Sequence, residues 1–290
     1  DMVGEFPELQ GIMGGYYARH DGLAEDVAFA IEDHYKPRFA GDALPRNATG
    51  LAVALADKLE TLAGLFGIGQ VPSGDKDPFA LRRHALGLIR MLIERELPLE
   101  PAHLVSIAFA AFPATHGQAQ AELQFFLRER LVGYLREAGH AVQDVEAVIE
   151  ARPPRWDEFP KRLAAVRAFK ALPEAEALAA ANKRVGNILK KSEESVAPRT
   201  DAALFAEPAE RALADALEAV APRSAQAFEA GDYTASLQAL AALKAPVDAF
   251  FDSVMVNAED ARLRANRLGL LARLHEAMNR VADLSKLAAA

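Results

Sequence analysis

Apolar residues recur at three- and four-residue intervals along most of the chain, and glycine and proline interrupt the pattern at intervals. The pattern predicts helices over 6–20, 23–36, 47–66, 77–96, 101–111, 118–138, 141–151, 155–171, 173–193, 208–228, 232–256 and 260–287. One such stripe is Leu51, Leu55, Leu59, Leu62 and Phe66; another is Leu263, Leu270, Leu271, Leu274, Met278 and Val281. Between 67 and 78, three glycines and two prolines block continued helix, so this stretch is a turn or loop. Asp77-Pro78 then reads as a helix start, with Asp77 as N-cap and Pro78 at the first helical position.

Composition agrees with the periodicity. Alanine and leucine dominate, and aromatic residues make up only 7% of the chain, which favours helix over strand. The expected fold is all-α. With 290 residues, two helical domains are expected. The break at Phe112–Gly117 is taken as their boundary, giving domains 1–115 and 116–290, and the stretch Ser192 to Pro208 is a second hinge candidate. The absence of cysteine excludes disulfides, cysteine-based zinc sites and a thiol nucleophile. No apolar run approaches the roughly 20 residues needed to span a bilayer, and no signal peptide is recognisable, so a cytoplasmic protein without a membrane partner is expected. The start at Asp1-Met2-Val3-Gly4 has no initiator methionine, and the natural chain is expected to continue upstream.

Charge changes the picture because it is segregated. The net −8 divides into −6 over 1–60, −3 over 61–151, +6 over 152–191, −9 over 192–260 and +4 over 261–290. Two basic islands sit in an acidic chain. The first holds Arg152, Arg155, Lys161, Arg162, Arg167, Lys170, Lys183, Arg184, Lys190 and Lys191, enough to neutralise several phosphates. In the second, Arg262, Arg273 and Arg280 fall on one helical stripe and could face a ligand together. Arg267 falls among the leucines instead, so it is expected to be buried in a salt bridge, with Asp248 or Asp252 as candidate partners. Trp156, the only tryptophan, serves as readily as a core anchor as a stacking platform, and Phe250 and Phe251 read as core.

Several motifs carry a family resemblance. Gly64-Leu-Phe-Gly-Ile-Gly-Gln-Val-Pro-Ser-Gly-Asp-Lys-Asp-Pro-Phe-Ala-Leu-Arg-Arg83 is similar to a signature of the β subunit of bacterial two-chain glycyl-tRNA synthetases. The similarity continues through His34–Asp42, Ala54–Thr61, Ala177–Lys191, Phe250–Val256 and Ala265–Arg273. The chain thus resembles the C-terminal half of that subunit. The resemblance implies an HD-like helical domain followed by an anticodon-binding domain of the arginyl-tRNA synthetase type. It also implies tRNA(Gly) and an α subunit as partners in a heterotetramer. ATP and Mg would then belong to the α subunit, which activates glycine, and no cofactor is expected in this segment.

An HD-type phosphohydrolase spreads His and Asp ligands over several helices to hold a metal whose bound water attacks a phosphate ester. Here His34 follows Val27 and Ile31 at helical spacing, toward the core, while Asp57 shares a face with Gly50, Val53, Thr61 and Gly64. Those small neighbours suit either a metal aspartate or a buried capping acid. His34 and Asp57 are therefore carried as candidates of a relic HD set, with no metal assigned. His20-Asp21 beside Gly22 reads as a helix end. The leading expectation is tRNA(Gly) recognition and positioning without catalytic residues in this segment. The rivals are a metal-dependent HD phosphohydrolase and a subunit-assembly scaffold.

Overall fold

The computed structural model describes residues 2–113, 115–192 and 196–289. The described residues form fourteen α-helices and four short 3-10 turns, with a single isolated bridge between Ser73 and Lys76 and no strand. The fold is all-α. Close packing divides the chain into two compact units, Asp1–Glu137 with Pro154–Glu158, and Ala138–Pro153 with Phe159–Ala290.

Unit 1 contains α1 (Met2–Glu5), α2 (Ile12–His20), α3 (Glu25–Asp33), α4 (Ala48–Gly67), α5 (Leu81–Glu94), α6 (Pro101–Ala110) and α7 (Gln120–Glu137). The predicted first helix is broken because Gly11 adopts φ 81°, which only glycine takes without strain. The α4 stripe works as expected: Leu55, Leu59, Leu62 and Phe66 are buried, and Asn47 caps the helix by accepting from the Gly50 N–H at 2.8 Å. Asp77 also acts as a cap, but from further upstream. Its two oxygens accept from the Leu81 and Arg82 N–H groups at 2.8 and 2.9 Å, and α5 starts at Leu81 after a left-handed residue, Ala80, so Pro78 lies outside the helix. Helix α7 buries Leu123, Leu127, Leu131 and Leu135 and packs on α4, α5 and α6. The packing division therefore follows Glu137, and the expected boundary at 115/116 falls inside unit 1. Trp156 is buried in unit 1, in the core-anchor role.

Unit 2 contains α8 (Val142–Glu150), α9 (Phe159–Lys170), α10 (Ala175–Lys191), α11 (Pro208–Glu229), α12 (Tyr233–Ala239), α13 (Lys244–Ser253) and α14 (Ala261–Met278). Its core joins Leu163, Val166 and Phe169 to Leu178 and Val185, Leu213 and Leu217, Phe250, and Leu270, Leu271 and Leu274. The helix predicted over 232–256 is two helices separated by a 3-10 turn, Leu240–Leu243. The one predicted over 260–287 stops at Met278, because Asn279 turns the chain. Its Oδ1 accepts from Leu284 N–H at 3.1 Å and from the Asn182 amide at 2.8 Å. Of the predicted helix 173–193 and the Ser192–Pro208 hinge, residues 193–195 lie outside the described residues, as does Ala114 in the break at 112–117.

Candidate nucleic-acid interface

The exposed face of α10 carries Lys183, Arg184, Lys190 and Lys191. The last two lie in the final turn, where the helix dipole already favours cations. Beyond α10, the segment 196–201 lies directly along α14. A Cβ on Gly269 would come within 2.0 Å of the Arg199 carbonyl oxygen, so glycine is required for this approach. Asn266 accepts from the Asp201 N–H at 2.7 Å and donates to its carbonyl at 3.1 Å, and Arg273 donates to Thr200 Oγ1 at 2.9 Å.

Between the end of α10, this segment and the start of α14 lies an open cleft of about 860 Å³. Lys191, Arg199 and Arg264 bring three cations to it. Ile188 and Leu268 supply apolar wall, Asn257 supplies an amide, and the described lining contains no carboxylate. Arg264 is fixed by donating to the Ala258 carbonyl at 2.6 Å, and Asp260 caps α14 through the Arg262 and Leu263 N–H groups. Arg262 is exposed two residues before Arg264. A cleft with cationic, amide and apolar surface suits single-stranded nucleic acid, whose phosphates need charge and whose bases need edges and faces. On the outer face of α10, the Arg184 guanidinium lies 4.1 Å from the centre of the half-buried Phe251 ring.

The other residues singled out from the sequence are distributed differently. Arg152 and Lys161 are exposed in unit 2. Arg155 belongs to unit 1, where it pairs with Asp157 at 2.5 Å and with Glu158 at 3.8 Å. Arg162 is a correction: it is only 3% exposed, donates to the Arg280 and Val281 carbonyls at 3.1 and 2.8 Å, and sits over the Phe228 and Tyr233 rings. Its charge is spent on internal carbonyls and rings, not on a ligand. The Arg262, Arg273 and Arg280 stripe also dissolves. Arg280 lies past the end of α14, where helical spacing no longer applies, and packs over Phe228, while Arg273 holds Thr200. Arg199 and Arg264 are the additions that sequence reasoning missed. The first lies in an acidic stretch, and the second falls off the expected arginine stripe.

In unit 1 the HD candidates separate. His34 follows α3, with Nδ1 2.9 Å from the Ile31 carbonyl oxygen and its ring tilted 40° against the Tyr35 ring, centroids 4.0 Å apart. Asp57 is exposed; the close helix approaches on α4 occur instead at Gly50, against α3, and at Gly64, against Phe112. Among the described residues no group of three or more His, Asp or Glu side chains is placed to hold a metal ion.

Residues 1–150 match the model of the glycyl-tRNA synthetase beta subunit. The chain belongs to this family. Residues 178–288 match the DALR anticodon binding domain, a range that contains α11 to α14, most of α10 and the whole cleft, but not Arg152, Arg155, Lys161 or Arg162. The glycine–tRNA ligase beta subunits of Thiobacillus denitrificans and Leptothrix cholodnii are each 68% identical over the whole chain, and that of Dechloromonas aromatica is 66% identical. The chain spans 40–41% of the length of these relatives. Among the described residues, no helix of this family member is long and apolar enough to cross a membrane. The Ala265–Arg273 motif that carried part of the resemblance takes on a physical meaning here. Asn266, Gly269 and Arg273 hold the cleft wall, and Arg267 reaches inward to Glu210.

Proposed function

We propose that this chain binds tRNA(Gly) through unit 2 and positions it for a glycine–tRNA ligase. In that enzyme an α subunit, assembled with the β subunit as a heterotetramer in the cytoplasm, carries out ATP- and Mg-dependent glycylation. The observation that carries the proposal is the three-cation cleft of Lys191, Arg199 and Arg264, which lies within the span matching an anticodon-binding domain. The mechanism is orientation. Fixing the tRNA body restricts where its acceptor end can go, and productive geometry is a large part of the barrier in a reaction between two bound partners. The chain's own residues supply phosphate neutralisation and base-sized space, and none of them is assigned bond chemistry.

A titration of tRNA(Gly) against the chain at increasing salt tests this. Binding that weakens linearly in log–log form supports it, because each phosphate neutralised releases condensed counterion. No affinity at low salt, or affinity indifferent to salt, overturns it. Charge reversal at Lys183, Arg184, Lys191 and Arg264 separates tRNA binding from a purely architectural role. Loss of tRNA affinity with α-subunit association retained supports positioning; retained tRNA affinity refutes it.

A further inference from the structure

Unit 1 has its own cleft, of about 470 Å³, between the loop after α3, the middle of α4 and the start of α5. Its floor is Lys58, which is 3% exposed. The ammonium donates 3.1 Å to the His34 carbonyl, and no ion-pair partner accompanies it among the described residues. An ammonium has three donors, and burying one without a counter-charge is costly. Burial accordingly pulls the Lys58 pKa down, a tendency that Asp57 partly offsets.

The surroundings are shaped to hold this lysine. A Cβ on Gly87 would lie 2.7 Å from Lys58 Cε and 3.1 Å from Cδ, so α5 carries a glycine where the side chain crosses it, despite the helix-propensity cost. One turn earlier on α5, His84 lines the same cleft, and its buried Nδ1 has no hydrogen-bond partner among the described residues. A buried polar atom left unpaired is destabilising unless a ligand supplies its partner. Burial and the nearby Lys58 keep this imidazole toward its neutral form, in which the tautomer protonated at Nδ1 is a donor. Arg83 is exposed at the rim, as are Asp57 and Glu8, while Arg38 is engaged by Asp42. The remaining donors of Lys58, with His84 Nδ1 and the Arg83 guanidinium, thus converge with two carboxylates and the Tyr35 ring.

We infer that this cleft binds a nucleoside monophosphate unit, its phosphate held by Lys58, Arg83 and His84 and its ribose hydroxyls by Asp57 and Glu8. The cleft volume lies in the range of small-molecule sites. Two carboxylates among three donors disfavour a polyphosphate by repulsion. Hydroxyl groups are the partners the carboxylates accept from, and the Tyr35 ring, partly exposed in the lining, gives the base an aromatic contact. The same chemistry is presented by a free mononucleotide and by a nucleotide at the end of an RNA.

The test is titration calorimetry on the 290-residue chain with adenosine 5′-monophosphate, inorganic phosphate, adenosine and a 5′-phosphorylated RNA trinucleotide. The monophosphate is expected to bind more tightly than adenosine, to be competed by phosphate and, in a parallel nitrogen NMR titration, to shift the His84 imidazole resonances. Lys58→Met and Arg83→Ser are each expected to weaken it about tenfold or more. Arg83 is exposed, so its variant keeps the test decisive should Lys58→Met fold poorly. Binding of the trinucleotide as well as the mononucleotide assigns the site to RNA ends, and binding of the mononucleotide alone assigns it to free nucleotide. Failure of all three phosphate-bearing probes to bind, or unchanged affinity in Arg83→Ser, overturns the inference. Because none of these residues lies in the tRNA cleft of unit 2, loss of nucleotide binding with retained tRNA(Gly) affinity marks this site as separate.

Discussion

Arg267 and Glu210 meet inside unit 2, with Nε 2.9 Å from one carboxylate oxygen and Nη2 3.4 Å from the other, both side chains almost fully buried. The pair is satisfied on every side. Arg267 also donates to the Met255 carbonyl at 2.7 Å, and Glu210 accepts from the Ala206 and Glu207 N–H groups at the start of α11. Burial alone would push the Glu210 carboxyl up, but Arg267 and these N–H groups more than offset it and hold it below its ordinary range. Glu210→Gln leaves a buried guanidinium without its counter-charge and should cost about 3–5 kcal/mol in urea unfolding. Replacing both residues with Leu and Met should recover much of that loss. A cost below about 1 kcal/mol for the single variant would show that the pair is not holding α11 to α14.

This pair shows what the sequence could and could not convey. Stepping 100° per residue placed Arg267 among buried leucines, and a buried arginine demands a carboxylate, so the salt bridge was legible. Its partner was not, because helical spacing says nothing about which distant helix packs opposite. Asp248 instead pairs with Lys244, one turn away on α13. Arg162 failed for the same reason: counting charge places it in a basic island but cannot tell an outward cation from one satisfied by the carbonyls of residues 280 and 281. The all-α architecture and the α4 stripe, which depend on local periodicity alone, were legible throughout.

Asp33 carries the clearest pH dependence in unit 1. Burial would raise its pKa, but the Arg46 side chain and N–H, together with Lys36, outweigh that and hold it at about 2, against 3.8 ordinarily. A depressed carboxylate contributes stability that is fully present above pH 3.8 and is lost as pH falls toward 2. The contribution is about 2 kcal/mol. Asp33→Asn should remove it at neutral pH and flatten the acid limb of a stability–pH curve measured by chemical denaturation. An unchanged acid limb would mean that the Arg46 and Lys36 contacts do not persist in solution.

Gly269→Ala tests whether the cleft wall depends on close backbone approach. The added carbon would collide with the Arg199 carbonyl, so the segment 197–199 must move away from α14. A stability loss of about 1–3 kcal/mol is expected, the usual cost of overpacking. Because Arg199 lines the cleft, tRNA(Gly) affinity should fall as well. Gly133→Ala is the control, since its Cβ meets nothing within 4 Å and α7 should tolerate it.

The sharpest separation of ligand-facing from internal arginines comes from the salt dependence of tRNA binding. Lys191 and Arg264 line the open cleft, so Lys191→Ala and Arg264→Ala should each weaken binding and lower the slope of log affinity against log salt by about 1. Arg162→Ala should act on stability instead. It removes the donor to the Arg280 and Val281 carbonyls and the cation over the Phe228 and Tyr233 rings, costing about 1–3 kcal/mol of stability while leaving the salt slope of the folded protein unchanged. Each of the three substitutions removes one positive charge, so net charge alone predicts equal changes in slope. A slope lowered as much by Arg162→Ala as by Arg264→Ala would mean that Arg162 meets the nucleic acid and is not held inside by the carbonyls of residues 280 and 281.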